Sequence, residues 1–315
     1  MKTKSIQVTI SVLVLIGFFI FIDSNEVFSV ISHSDKWSFF LACICSFCGN
    51  IACAFRWTKL LSCDSKKKFW KTIKAYFESI SFTTIVPVGM LGGDLYRSVR
   101  LSSRNSSGKL ASKLKPSKEV MLSVLTDRVH GLWALCLLAV LTIFYSTIFE
   151  SNMFIANEVY LAQNTFVLLY FSLLFIVVTA PFLSSKIRIF VSKSTTELTA
   201  VNRLLIRSKK KITVFVSVLS QVFFAVSFFL CLKATNINIS VYQCFILVPI
   251  IFLSAAAPLS LAGFGPREYS SAFILSFLGY GLESSVASSI LFGLTITLQG
   301  IGFLLINLIF SYKDR

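Results

Sequence analysis

The sequence predicts an all-α integral membrane protein with about six full membrane-spanning helices and two re-entrant hairpins, arranged as an inverted repeat. Three observations carry this expectation. First, the 315 residues are 55% hydrophobic and 14% charged, where soluble domains carry about 25% charge, and the mean hydropathy is +0.79. Second, Lys and Arg gather in short stretches between apolar runs, which is the signature of cytoplasmic loops. Third, two apolar runs are interrupted in the same way. Pro87-Val88-Gly89-Met90-Leu91-Gly92-Gly93-Asp94 and Pro258-Leu259-Ser260-Leu261-Ala262-Gly263-Phe264-Gly265-Pro266-Arg267-Glu268 each place Pro, four residues, Gly and then charge. Irregular backbone is tolerated at membrane depth only inside protein or beside a wet cavity. Paired breaks in two halves of a chain point to a transporter-like site.

Each element follows from length and charge. A span needs about 20 apolar residues. Lys2 and Lys4 precede the run Ile6–Ile22, and Asp23-Ser24-Asn25-Glu26 offers no small-residue cleavage site, so a retained first span is expected rather than a signal peptide. The next segment has Asp23, Glu26 and Asp35 against Lys36 and is placed outside. Trp37–Phe55 is the second span, closed by Arg56-Trp57, which reads as a headgroup anchor. Residues 56–74 and 97–118 are both basic and hence both inside. The intervening run Ala75–Leu91 must therefore dip into the membrane and return. Residues 103–117 read as a solvated loop.

Lys118 and Glu119 start the helix of the next span, Val120–Ile148. Residues 149–161 carry Glu150 and Glu158 without Lys or Arg, hence outside. Ala162–Leu183 crosses again. Residues 184–211 mix Ile187, Ile189, Phe190, Val191, Leu198, Val201, Leu204 and Leu205 with basic residues, as an interfacial amphipathic helix would. Ile212–Leu232 spans, and 233–240 is outside. Val241–Leu282 then forms a hairpin turning at Gly263-Phe264-Gly265-Pro266, and Val286–Phe310 crosses to a basic tail. One polytopic domain, 1–315, results. Its inverted repeats are 1–148 and 162–310, joined through the outside loop 149–161. Both termini are expected in the cytoplasm, and the location is the cell (inner or plasma) membrane.

Several function classes are disfavoured. The net charge of +16 sits in membrane-flanking loops, which suits anionic headgroups rather than nucleic acid. Cys43, Cys45, Cys48, Cys53, Cys63, Cys136, Cys231 and Cys244, with only His33 and His130, match no zinc pattern, and are read as small apolar packing residues. No metal and no cofactor is expected. No P-loop, zinc-protease helix or catalytic triad is present.

Three constellations could carry chemistry. In Gly92-Gly93-Asp94 with Arg97 and Arg100, the glycines would let a ligand approach the backbone, a helix start would suit a phosphate, and Arg97 adds forked donors. Asp94 could equally be a helix N-cap. In the second break, Gly263 and Gly265 precede Arg267 and Glu268, ionisable residues that are expensive at membrane depth. They could bind a ligand or form a neutral structural pair. The third is Asp127-Arg128. Neighbours on a helix do not face each other, so each needs its own partner. They line a cavity or sit at the inner boundary, since Val129–Ile148 alone gives about 30 Å of helix. Asn50, Gln221 and Gln299 could hydrogen-bond between helices. Pro87, Gly89, Pro258 and Pro266 are the expected hinge and turn residues.

These motifs, in this order, resemble the lysylphosphatidylglycerol synthase transmembrane (flippase-like) family. The resemblance rests on Pro87 to Asp94 with Arg97, on Asp127-Arg128 followed by Gly131-Leu132, on Gly263 to Glu268, and on Arg56-Trp57. Pro266 departs from the family, where a small or aliphatic residue is expected, and would stiffen the turn. The resemblance implies a membrane region associated with moving lipid between leaflets. In the best-known members that region is fused to a soluble aminoacyl transferase domain. The chain is expected to lack that domain, so the resemblance gives no support for synthase activity, and the chain is expected not to be an enzyme.

The expected partners are therefore membrane lipids, anionic ones in particular, and a lipid- or polysaccharide-synthesis enzyme. The expected function is translocation of an anionic phospholipid or polyprenyl-phosphate-linked glycan. The alternatives are a non-transporting membrane partner of such an enzyme, or an intramembrane lipid-phosphate enzyme using Asp94, Asp127 or Glu268 as base.

Overall fold

The computed structural model describes residues 24–61, 65–85, 89–102, 117–149, 211–255 and 265–313. All regular structure among them is helical: α1 (Ser24–Ser32), α2 (Lys36–Leu60), α3 (Lys66–Ile85), α4 (Gly89–Ser102), α5 (Lys118–Phe149), α6 (Lys211–Ala234), α7 (Val241–Ala255), α8 (Pro266–Phe277) and α9 (Leu282–Lys313). By length and composition, α2, α5, α6 and α9 can cross a membrane. They coincide with four of the six expected spans. The other two, Ile6–Ile22 and Ala162–Leu183, lie outside the described residues, as do the loop 150–161 and the amphipathic segment 184–210.

Helix ends depart from the loop boundaries read from charge. Helix α1 occupies the expected outer loop. Most of the basic stretch 56–74 is helical, because α2 runs to Leu60 and α3 starts at Lys66. Long Lys side chains extend a helix beyond its apolar part by carrying their charge outward, so a basic run is no sign of a helix end. Helix α2 is started by Asp35, whose carboxylate accepts from the backbone N–H of Trp37 at 3.2 Å and of Ser38 at 3.0 Å. The Ser38 hydroxyl at 2.6 Å and these amides hold that carboxyl below the usual carboxylate range. The Asp35 amide donates to the Ala234 carbonyl at 2.9 Å, tying the start of α2 to the end of α6.

Each apolar run that carries a break becomes two helices. In the first, α3 and α4 flank residues 86–88; in the second, α7 and α8 flank residues 256–264. Pro87, Pro258 and Gly263 lie outside the described residues, and Gly89 begins α4. Helices α3 and α4 pack tightly. Phe82 stacks on Tyr96 at 4.8 Å between centroids, and a Cβ on Gly93 would stand 2.6 Å from Thr83 Cγ2.

The bundle is held by close helix contacts. Gly49 of α2 admits the Phe224 ring of α6, where a Cβ would lie 2.8 Å from the ring, and Ser227 Oγ donates to the Ala42 carbonyl at 2.8 Å. Small residues and hydroxyls at such contacts are what helix packing in lipid requires. Phe228, Leu232, Ile251, Leu275 and Phe292 form the core where α6, α7, α8 and α9 meet. Phe77 of α3 stacks on Phe303 of α9 at 4.1 Å. Phe40, Ile44 and Ile51 on α2, and Leu305 and Ile309 on α9, are exposed, as lipid-facing residues are. The expected amide link is present: Asn50 Nδ2 donates to Gln299 Oε1 at 2.8 Å, and Gln299 Nε2 to Ser46 Oγ at 3.0 Å.

Candidate functional site

Two sets of buried charges lie next to the two breaks. The larger one centres on Asp127 of α5. Its Oδ1 accepts from Arg56 Nε of α2 at 2.7 Å, and its Oδ2 from both terminal nitrogens of Arg97 of α4 at 3.2 Å. Asp94, three residues before Arg97, forms an ion pair with it, Arg97 Nη2 to Asp94 Oδ1 at 3.0 Å. It also receives Arg128 Nε at 2.8 Å and Nη2 at 3.0 Å. Arg56, Arg97 and Asp127 are each at most 3% exposed, while the Arg128 side chain is 44% exposed. The cluster thus grades from a half-open rim at Arg128 to a buried floor at Arg56. Asp127 lies about 14 Å along α5 from Lys118 at the helical rise.

Aromatic residues line the cluster. The Arg97 guanidinium lies 4.8 Å from the Trp57 ring and 5.4 Å from Tyr76, cation–π contacts that strengthen when water is excluded. Trp57 Nε1 donates to Ser123 Oγ at 3.1 Å. Tyr76 reaches from Arg97 to the amide network, its hydroxyl 3.4 Å from Asn50 Oδ1. On the flank, Arg100 Nε donates to Glu78 Oε2 at 2.9 Å.

Two sequence expectations are corrected here. Arg56-Trp57 is no headgroup anchor: Trp57 is fully buried and Arg56 nearly so, because Asp127 and Arg97 draw both inward. Asp94 is not an N-cap. Helix α4 begins at Gly89, and the Asp94 carboxylate serves Arg97 and Arg128. Of the paired glycines, Gly93 provides the close approach of α4 to α3, and Gly92 is half-buried beside it. Asp127 and Arg128 do take separate partners, as their adjacency on a helix requires.

The second set stands at the start of α8. Gly265 has φ +111°, a left-handed conformation that glycine adopts without steric penalty. Pro266 follows at the first helical position, where its fixed φ suits a helix start. Glu268 caps the helix, its Oε2 accepting from the Gly265 N–H at 2.6 Å. Its Oε1 accepts from Arg267 Nη2 at 2.5 Å, Arg267 Nε at 3.1 Å and Ser289 Oγ at 3.1 Å. Arg267 also donates to the Ser289 Oγ and carbonyl of α9 at 3.0 and 3.1 Å, and it lies 5.3 Å from the Phe292 ring. Both charges are buried. The positive end of the α8 dipole, where an anion would be favoured, is thus taken by the chain's own carboxylate.

Reasoning from sequence missed Arg56, Trp57, Tyr76 and Ser289 as site members. The signal available for Arg56 was Asp127 itself, since a carboxylate deep in an apolar run must find a cation on another helix. Chemically, the first cluster brings forked guanidinium donors together in a dry setting, the arrangement that recognises phosphate and carboxylate groups.

No curated protein matches the chain significantly. A family model, described as the lysylphosphatidylglycerol synthase TM region, matches residues 6–301. That span takes in both breaks and every charged residue of the two clusters, and the chain belongs to this family.

Proposed function

We propose that this protein translocates an anionic lipid, a phospholipid or a polyprenyl-phosphate-linked glycan, between membrane leaflets. One observation carries the reading. Among the described residues, three guanidinium groups, Arg56, Arg97 and Arg128, gather about two carboxylates, Asp94 and Asp127, an excess of one cation. The buried Arg56 and Arg97 are matched by Asp127 and Asp94, so the excess stands with Arg128 at the half-open rim, where an anion can approach. A passing anionic headgroup would balance it. In this reading Arg97 and Arg267 receive the phosphate beside the two helix breaks, and each break forms a re-entrant hairpin. Rocking of two inverted halves of six spans in all would then alternate access. Family membership supports a role in lipid biosynthesis or translocation.

The test is a leaflet-resolved assay on protein reconstituted in vesicles. A fluorescent phosphatidylglycerol in the inner leaflet should become accessible to an external quencher faster than in protein-free vesicles, and more slowly once Arg97 is replaced by Gln. Movement at the protein-free rate would remove the translocation reading in favour of a non-transporting partner of a lipid enzyme. Chemical conversion of the lipid in the same vesicles would indicate an enzyme instead.

A further inference from the structure

Helix α3 gathers its charge on one face. Lys66, Lys67, Trp70, Lys71 and Lys74 are all exposed, and at the helical repeat they occupy about 140° of the circumference. Thr72, Ala75 and Ser79, on the other side, are buried. Among the described residues no carboxylate answers these four lysines. The only acidic residue of α3, Glu78, is taken by Arg100 at 2.9 Å. Lys68 lies off this face and serves the fold, donating Nζ to the Leu61 carbonyl at the end of α2 at 3.4 Å. The helix itself gains nothing from Lys66 and Lys67, because cations in a first turn oppose its dipole.

Helix α2 fixes the depth of this face. Phe40, Ile44, Phe47 and Ile51 are exposed at three- and four-residue intervals, which makes them one lipid-facing stripe. Phe55 continues the stripe and Lys59 ends it, with its Nζ 4.8 Å from the Phe55 ring centroid. At the opposite end Trp37 is exposed and stacks on Phe40 at 5.7 Å. From Trp37 to Lys59 the helix rises about 33 Å, against about 30 Å for the apolar core of a bilayer. The stripe therefore ends in the headgroup layer, and α3 is pinned beside that end. The Phe69 ring meets Phe55 edge-on at 6.4 Å and Trp70 at 5.5 Å. Trp70 is 65% exposed, an indole at headgroup depth among cations, where tryptophan anchors membrane proteins. Trp57, which the sequence offered for that role, is buried.

We infer that Lys66, Lys67, Lys71 and Lys74, with Trp70, form a docking surface for the anionic headgroups of one leaflet, the leaflet at the Leu60 end of α2. Trp70 seats the surface in the interface, and the lysines gather anionic lipids around it. Lysines are compact charges on flexible stems, suited to a fluid leaflet rather than to one fixed ligand. A soluble acidic protein would use the charge but leave the indole in water, so the aromatic edge decides for lipid. The surface does not depend on translocation. It serves a transporter and a partner of a lipid enzyme alike.

The test uses the full chain in phosphatidylcholine nanodiscs. These hold a minor fraction of a lipid brominated just below its headgroup, either phosphatidylglycerol or phosphatidylcholine, because bromine quenches tryptophan on contact. The Trp70→Phe variant reports the other three of the four tryptophans, and its difference from wild type is the Trp70 signal. Brominated phosphatidylglycerol should quench Trp70 about twofold more strongly than brominated phosphatidylcholine, as anionic lipid gathers at a basic surface. That excess should vanish in about 1 M salt, where the Debye length falls to about 3 Å. In the K66Q/K67Q/K71Q/K74Q variant, whose altered positions are all exposed, both lipids should quench Trp70 equally.

Equal quenching of wild-type Trp70 by the two lipids overturns the surface. An excess that survives either the salt or the four substitutions overturns it too. A Trp70 signal that neither lipid quenches places the indole in water and turns the face over to a soluble acidic partner. The leaflet assay decides translocation separately, because no outcome here requires lipid to cross.

Discussion

Arg56 Nε donates to Asp127 Oδ1 at 2.7 Å, and this bond joins α2 to α5 at the floor of the charge cluster. Because Asp127 passes its other oxygen to Arg97, a single carboxylate holds three helices together. Removing it strands the buried Arg56 guanidinium and leaves Arg97 with Asp94 alone. Asp127→Asn should therefore destabilise the protein by about 3–5 kcal/mol, the usual consequence of breaking a buried ion pair. The measurement is the yield of monodisperse protein and its midpoint in a detergent unfolding series. A midpoint equal to wild type would show that Arg56 and Arg97 find other compensation.

Arg267 and Glu268 separate a structural role from a ligand role. Glu268 holds the Gly265 amide and the Arg267 side chain at once, so Glu268→Gln should lower stability. Arg267→Ala leaves Glu268 buried without its cation and should lower stability as well as lipid movement, whereas Arg267→Lys should fold and be impaired but active, since charge survives without the fork. Wild-type transport by Arg267→Ala, or recovery of both folding and transport in a variant lacking both charges, would sink the ligand role.

Gly93 makes a steric prediction. A Cβ there meets Thr83 Cγ2 at 2.6 Å and the Ser79 carbonyl at 3.2 Å. Gly93→Ala should cost about 1–3 kcal/mol by overpacking. Thr83→Ser in the same chain should restore part of that stability and of any transport. If Gly93 served a ligand instead, Thr83→Ser would restore neither.

Topology is open to direct chemistry. With single reporter cysteines in a Cys-free background, Asn236 should be labelled from outside, and Ser65 and Ser107 only from inside. Labelling of Ser107 from outside and Ser65 from inside would mean that α3 and α4 together cross the membrane, and the inverted repeat would be lost.

The Gln299–Asn50 bond links α9 to α2 and reaches Arg97 through Tyr76. Gln299→Leu leaves the Asn50 side chain without that acceptor, and should cost about 1–3 kcal/mol as a partner-less buried amide. Its checking measurement is again the unfolding midpoint. Gln299→Leu combined with Asn50→Leu should cost less than the two single changes added together.

Local physics made much of this legible in the chain. Apolar runs of membrane-spanning length announced α2, α5, α6 and α9, because a helix in lipid satisfies its own backbone and leaves its side chains to match the solvent. Pro87 and Pro258 fall in both breaks, where a residue without an N–H cannot continue the helix ladder, whereas Gly93 and Gly131 stand inside helices and marked no end. That Asp127 and Arg128 need separate partners also followed from helix geometry alone.

Which residues answer one another was decided only by tertiary structure. Arg56 and Trp57 carry the composition of an interface anchor, and nothing local distinguishes an Arg that reaches a headgroup from one that turns inward. The choice depends on Asp127, 71 positions along the chain, arriving opposite it when α2 packs against α5. Asp94 looks like a helix cap until α4 is seen to start at Gly89, which frees its carboxylate for Arg97 and Arg128. A Cβ on Gly93 would strike Thr83 while one on Gly131 would meet Gln221 and Arg56 at ordinary contact distance, a difference that only the packing of α3 and α6 against them makes. Hydropathy is a property of single segments, whereas ion pairs and close contacts belong to pairs of segments, and that is the physical reason the spans were readable and the charge cluster was not.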